Sequence, residues 1–135
     1  MMNVAIQRNC TVFSRLELEW KALLSASPTD GIFMTPQWIC KWWKTLGDGQ
    51  TLLVEEIREE RGNLAALAFL CRAHGEPLRF VGGTDVCDYL DILYTPGREE
   101  ESLKTLLGRL KSAIEEHGMD LHCVKENSPT LRLLP

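Results

Sequence analysis

The stretch Leu64-Ala65-Ala66-Leu67-Ala68-Phe69-Leu70-Cys71 constrains this chain more than any other part of it. It is apolar on both faces and has none of the period-2 alternation of a half-exposed strand. It follows the turn sequence Glu59-Glu60-Arg61-Gly62-Asn63 and is short for a helix. It therefore reads as a central strand covered from both sides, and such a strand requires elements packed on each face of a sheet. Residues 51–58 and 63–72 then make an antiparallel hairpin around that turn. The class this predicts is α/β (α+β): a mixed, mostly antiparallel sheet flanked by helices.

The helices that could cover such a sheet show in the spacing. Leu16, Trp20, Leu23 and Leu24 fall on one helical stripe. Ser14 with Glu17 three places on reads as a capping box, and Phe13 as a staple onto Leu18. Ser27-Pro28-Thr29-Asp30-Gly31 breaks this helix. Thr35-Pro36 starts a second, a cap residue followed by proline at the first helical position, which Gly47 ends. Within it Trp38, Trp42 and Trp43 are too widely spread for one narrow face, which puts at least one of them at a second surface or a groove. Thr95-Pro96-Gly97 opens a long third helix whose buried face is Leu103, Leu106, Leu107, Leu110, Ala113 and Ile114, closed by Gly118. Short strands are expected at 3–8, 77–81, 89–94 and 119–124, and Ser128-Pro129-Thr130 starts a last short helix. The order is β-α-α-β-β-β-β-α-β, with no repeat or linker, so 1–135 reads as a single domain.

Composition removes several function classes. Fifteen basic residues against nineteen acidic ones give a net charge of −4 with the bases scattered, which argues against nucleic acid as a partner. No apolar stretch approaches the roughly 20 residues that span a bilayer, and the first residues lack a secretory apolar core, so a cytoplasmic protein with no membrane partner is expected. The five cysteines contain no C-x-x-C pair and no histidine at ligand spacing, so no metal site is expected and the thiols read as reduced and mostly buried. Cys87 has nothing beside it in sequence to activate it as a nucleophile. His74, His117 and His122 are isolated and are given no catalytic role.

Phe33-Met34-Thr35-Pro36-Gln37-Trp38, followed by Trp42-Trp43, resembles a segment of the CelD-like acetyltransferases. Leu78-Arg79-Phe80-Val81-Gly82-Gly83 running on to Asp88-Tyr89-Leu90-Asp91 resembles another segment of the same family, and Lys125-Glu126-Asn127-Ser128-Pro129-Thr130 resembles the junction after its N-terminal half. The resemblance covers nearly the whole chain but only the first half of such a protein, and extends distantly to the FemAB-type aminoacyl transferases with their tandem GNAT-like domains. It implies a GNAT-like N-terminal, acceptor-side domain, incomplete relative to a full GNAT domain. The full protein would move an acyl group from acetyl-CoA to an amine or hydroxyl of a small or glycan-linked acceptor, and this chain, inactive alone, would pair with a second GNAT-like half, a partner chain or itself. The alternative is a non-catalytic interaction module with a degenerate GNAT fold.

Beside that resemblance, the residues themselves argue that no cofactor binds here. The place where a GNAT enzyme holds the pyrophosphate of acyl-CoA corresponds to Tyr94-Thr95-Pro96-Gly97-Arg98-Glu99-Glu100-Glu101. Proline removes a donor there, and three acids in the first turn repel phosphate. No catalytic residue is assigned. Candidates for acceptor binding are Trp38, Trp42, Asp85, Asp88, Tyr89 and Asp91. Carboxylates at a strand end can orient or deprotonate an amine, while the plain alternative has Asp85 capping a turn and Asp88 and Asp91 facing solvent. The tryptophans either pack in the core or line a cleft. Lys41 and Lys44 could meet a phosphate-bearing acceptor, and Gly82-Gly83 reads as a positive-φ turn.

Overall fold

A computed structural model describes residues 3–7, 11–82 and 89–134, with 3–7 described as backbone only. Its backbone is built around the hairpin of β2 (Gln50–Arg58) and β3 (Leu64–Ala73), with β1 (Asn3–Gln7) antiparallel along the outer side of β2. Residues 64–71 are buried on both faces, as the unbroken apolar run requires. A register shift opposite Ile57 and Arg58 inserts Ala65 as an extra residue in β3.

Beyond β3 the sheet departs from a simple meander. β4 (Leu78–Phe80) pairs with the late part of β3, at Leu70 and Cys71, while β5 (Leu93–Tyr94) pairs with its early part, at Leu67 and Ala66. Both run antiparallel to β3 along the same edge. They are two ends of one strand position, and the chain returns to it at Leu93 through an excursion, residues 89–92, that lies outside the sheet. The strand expected over 89–94 is thus only two residues long. Residues 89–92 leave the sheet, with the Leu90 N–H donating to the Cys123 carbonyl at 3.1 Å. Alternating apolar residues there serve a different end: Leu90 and Ile92 are buried in the core beneath the third helix. β6 (Met119–Asp120) pairs parallel with β4 and is much shorter than the 119–124 expected, the chain beyond it running as turns.

Helices α1 (Val12–Ala26) and α2 (Pro36–Leu46) cover one face of the sheet, packing Leu16, Trp20, Leu23 and Ile39 against Leu52, Val54, Leu67 and Phe69. The Trp20 ring lies 4.3 Å from that of Phe69, and its indole N–H donates to the Met34 carbonyl at 2.9 Å, fixing the segment between the two helices. α1 starts two residues before the expected Ser14. Val12 and Phe13 are buried as part of the helix, Thr11 caps without a side-chain bond, and Leu18 is 83% exposed, so neither the capping box nor the staple forms. For α2 the expected start holds: the Thr35 hydroxyl accepts the Trp38 N–H at 3.3 Å, with Pro36 in the first turn.

The other face is covered by α3 (Glu99–His117), which buries Leu103, Leu106 and Leu110 against Leu53, Ile57, Ala66 and Leu70, and by the short α4 (Pro129–Leu133). Pro96 and Gly97, at φ 86°, form a turn in which Arg98 N–H donates to the Thr95 carbonyl at 3.0 Å. Gly118, at φ 83°, ends α3. No helix among the described residues is long and apolar enough to cross a membrane.

Candidate functional site

Three segments that are distant in sequence meet where the excursion returns to the sheet. They are the turn after α1 (27–30), the approach to β5 (89–94) and the lead into α4 (125–130). Ser27 lies at the centre of one half of the junction. Its hydroxyl oxygen accepts the N–H of Tyr94 at 2.9 Å and that of Thr29 at 3.2 Å, and the Thr29 hydroxyl donates to the Ile92 carbonyl. These bonds satisfy backbone groups that a short strand such as β5 would otherwise leave unpaired.

Asp91 holds the other half. Its Oδ1 accepts from the Thr130 hydroxyl at 2.5 Å and from the Ile92 N–H at 2.7 Å, and its Oδ2 accepts from the Ser128 hydroxyl at 2.5 Å. Since Thr130 gives its one proton to Asp91, the Tyr94 hydroxyl, 2.6 Å from Thr130 Oγ1, is the donor in that contact. Ser128 also caps α4, accepting the Thr130 N–H at 3.0 Å. The expectation that Asp91 faces solvent on an alternating strand is corrected: only 8% of it is exposed, and it clasps α4 to the excursion. Burial raises its pKa above the ordinary carboxylate value, opposed by the bonds from Ser128, Thr130 and Ile92 and by the charge of Lys125. Burial likewise raises the pKa of the Tyr94 phenol.

Above this clasp lies a cleft of about 380 Å³ lined by Asp91, Tyr89, Lys125, Asp30, Glu99 and Arg132, among others. Tyr89 is half exposed and carries the Lys125 ammonium over its ring, 4.8 Å from the centroid. Asp91 has three of about four acceptor positions occupied, which leaves about one for a ligand in the cleft.

Trp38 and Trp42 lie elsewhere. Both are half-buried, and with Lys41, Thr45 and Leu46 they line a separate groove of about 230 Å³ that shares no lining residue with the cleft. Trp38 stacks edge-on against Phe33 at 5.0 Å. The Trp42 indole nitrogen is buried without a hydrogen-bond partner among the described residues. Tyr89 and Asp91 are thus brought together, while the two tryptophans form a second locus. Asp85, Asp88 and Cys87 lie outside the described residues, as does Gly83. Gly82 has φ 139°, matching the expected turn.

Sequence reading passed over Ser27, Thr29, Tyr94, Ser128 and Thr130 as site-forming residues. Ser128-Pro129-Thr130 was legible as a helix start, but its second use, as donor to a carboxylate 37 residues away, has no local signal.

The N-terminus of α3 is occupied by its own chain. Arg98 Nε reaches Glu59 at 2.8 Å, an ion pair rather than an aligned hydrogen bond, and its Nη2 reaches Glu101 at 3.0 Å; Glu99, Glu100 and Glu101 fill the first turn. That arrangement repels a pyrophosphate. Among the described residues no cluster of histidine, cysteine or carboxylate could hold a metal ion. Comparison of the chain with protein-family models, curated proteins and solved structures finds no match.

Proposed function

We propose that this chain is the acceptor-side domain of an acyl-CoA-dependent acyltransferase of GNAT-like type, and that the cleft over Asp91 holds the acceptor. The observation carrying this reading is the cleft itself: a buried carboxylate at its floor, clamped by Ser128 and Thr130 and sharing the space with Tyr89 and Lys125. A carboxylate fixed by donors is suited to orient an amine or hydroxyl, and a pKa raised by burial makes it a better proton acceptor than a surface carboxylate. The β-α-α-β-β-β-β-α-β order and the resemblance of the Thr35-Pro36 and Asp88-Tyr89-Leu90-Asp91 segments to CelD-like acetyltransferases support the same reading. The acids at the start of α3 disfavour a pyrophosphate there, which supports acyl-CoA binding on a second half or a partner chain.

Calorimetric titration of the purified chain tests it. Small primary amines should bind with an affinity that Asp91→Asn weakens, and acetyl-CoA should give no heat of binding. Acetyl-CoA binding at micromolar Kd, or amine binding indifferent to Asp91, would refute the proposal.

One observation favours a second reading, a non-catalytic interaction module. The Trp38–Trp42 groove is almost wholly apolar and ends at the half-exposed Leu46, the kind of surface that proteins use for association. Light scattering separates the two: a monomer at high concentration argues against self-association through this groove, and a concentration-dependent dimer lost on Trp42→Ala supports it.

A further inference from the structure

The charges around the cleft carry more than the general class of acceptor. Asp30, Glu99, Lys125 and Arg132 all line it, two of each sign. Elsewhere on the molecule several opposite charges pair, Arg15 with Glu56, Arg58 with Glu19 and Glu56, Arg98 with Glu59 and Glu101, Lys104 with Glu100, while scattered surface bases such as Lys41, Lys44 and Lys111 do not among the described residues. Within the cleft none of the four takes part in an ion pair among the described residues. Lys125 rests on the Tyr89 ring instead, 4.8 Å from its centroid. The fold therefore brings three carboxyl groups, Asp91 among them, and two bases to one small cavity, with no ion pair among Asp30, Glu99, Lys125 and Arg132 in the described residues.

We propose that the cleft selects a small zwitterion, a molecule carrying a primary ammonium together with a carboxylate or phosphate. This rests on the reading of the cleft as the acceptor site and narrows the acceptor to a class. Asp30 and Glu99 supply the negative field for the ammonium, and the last acceptor position on Asp91 gives it a fixed hydrogen bond. Lys125 and Arg132 receive the anionic end. Arg132 is suited to this because its planar fork matches both carboxylate and phosphate. Tyr89, Leu90 and Met34 cover the carbon skeleton between the two ends. A volume of about 380 Å³ lies near the lower limit of small-molecule pockets, roughly 300–1,000 Å³. It suits a metabolite of that kind and is too small for a nucleotide cofactor. A ligand carrying both charges also suits a cavity lined by acids and bases together, since either charge alone would meet groups of its own sign.

The test is a set of NMR titrations of the isotope-labelled chain with matched probes. Phosphoethanolamine is compared with ethanolamine and ethyl phosphate, and 4-aminobutyrate with butylamine and butyrate. At least one zwitterion should bind about tenfold or more tightly than both of its single-charge fragments, since each added charged hydrogen bond is worth that much. The shifts should fall on Asp30, Tyr89, Lys125 and Arg132, and which zwitterion wins distinguishes carboxylate from phosphate. The double variant Lys125→Gln/Arg132→Gln, both exposed positions whose loss leaves the spectrum and melting temperature of the fold in place, should bind the zwitterion no better than the amine fragment. Equal binding of zwitterion and fragments, or an advantage that survives in the double variant, overturns the proposal. Zwitterion preference without any acyl transfer once a CoA-binding half is supplied leaves this inference standing and removes the acyltransferase reading. Acetylation of amines with no such preference does the reverse.

Discussion

At Asp91 two influences on one carboxyl group oppose each other. Burial disfavours the charge while three donors and Lys125 favour it, and burial wins, so the folded pKa lies above the unfolded value of about 3.9. A carboxyl whose pKa rises on folding binds more protons in the native state across that window. Its contribution to stability is fully present below about pH 3.9 and is lost as pH rises through the folded pKa. Chemical denaturation of wild type and Asp91→Asn at a series of pH values should show the wild type's advantage shrinking as pH rises through the window; an advantage that grows would contradict the assignment. Glu19, held down by Arg58, acts in the opposite sense in both proteins and drops out of the difference. At neutral pH Asp91→Ala should cost about 1–3 kcal/mol, because it strands the Ser128 and Thr130 hydroxyls. Cys71 makes a simpler case. Its thiol is buried and its pKa is pushed up to about 12, so it should resist alkylation in the native protein while the half-buried Cys40 and Cys123 react, as mass spectrometry of iodoacetamide-treated protein would show.

Among the elements, α2 is the most exposed to single changes. Thr35→Ala removes the cap bond to Trp38 and should cost about 1 kcal/mol by thermal or urea unfolding. Gly47→Ala should cost about 1–3 kcal/mol, because a Cβ there meets the Trp43 ring and carbonyl at 2.6 Å and the helix end must shift. These features were legible in sequence because a cap, a proline at the first turn and helical spacing are all local. The hairpin and α3 were legible for the same reason. The start of α1 was misread because Ser14 and Glu17 make a plausible local signal, whereas burying Val12 and Phe13 against the sheet decides where the helix begins. Residues 89–92 alternate like a strand, and period alone cannot say whether the alternation faces a sheet neighbour or, as here, the underside of α3. The burial of Asp91 depends on Ser128 and Thr130 arriving from another element, so half of the candidate site was visible as Tyr89 and Asp91 and the half that shapes it was not.

On the scale of the molecule, a sheet with helices on both faces has two cores, and at Glu56 a buried charge is held by pairing. Glu56 is buried against α1 and held by Arg15 and Arg58, with Arg58 also reaching Glu19 at 2.7 Å and the Gly62 carbonyl at 2.7 Å. Arg58→Met should destabilise by about 1–3 kcal/mol, less than a fully buried pair would lose, because Arg15 remains and Arg58 is partly solvated. The same architecture puts the two candidate loci on different supports. The Trp38–Trp42 groove lies along α2, and the Asp91 cleft lies where the excursion, the turn after α1 and α4 converge. The central claim is that the chemistry of this chain belongs to the second of these. Mapping amide shifts on adding a primary amine tests it most directly. The account predicts that Asp30, Tyr89, Asp91, Lys125 and Asn127 move while Lys41, Trp42 and Thr45 stay in place; movement along α2 with a silent cleft would contradict it.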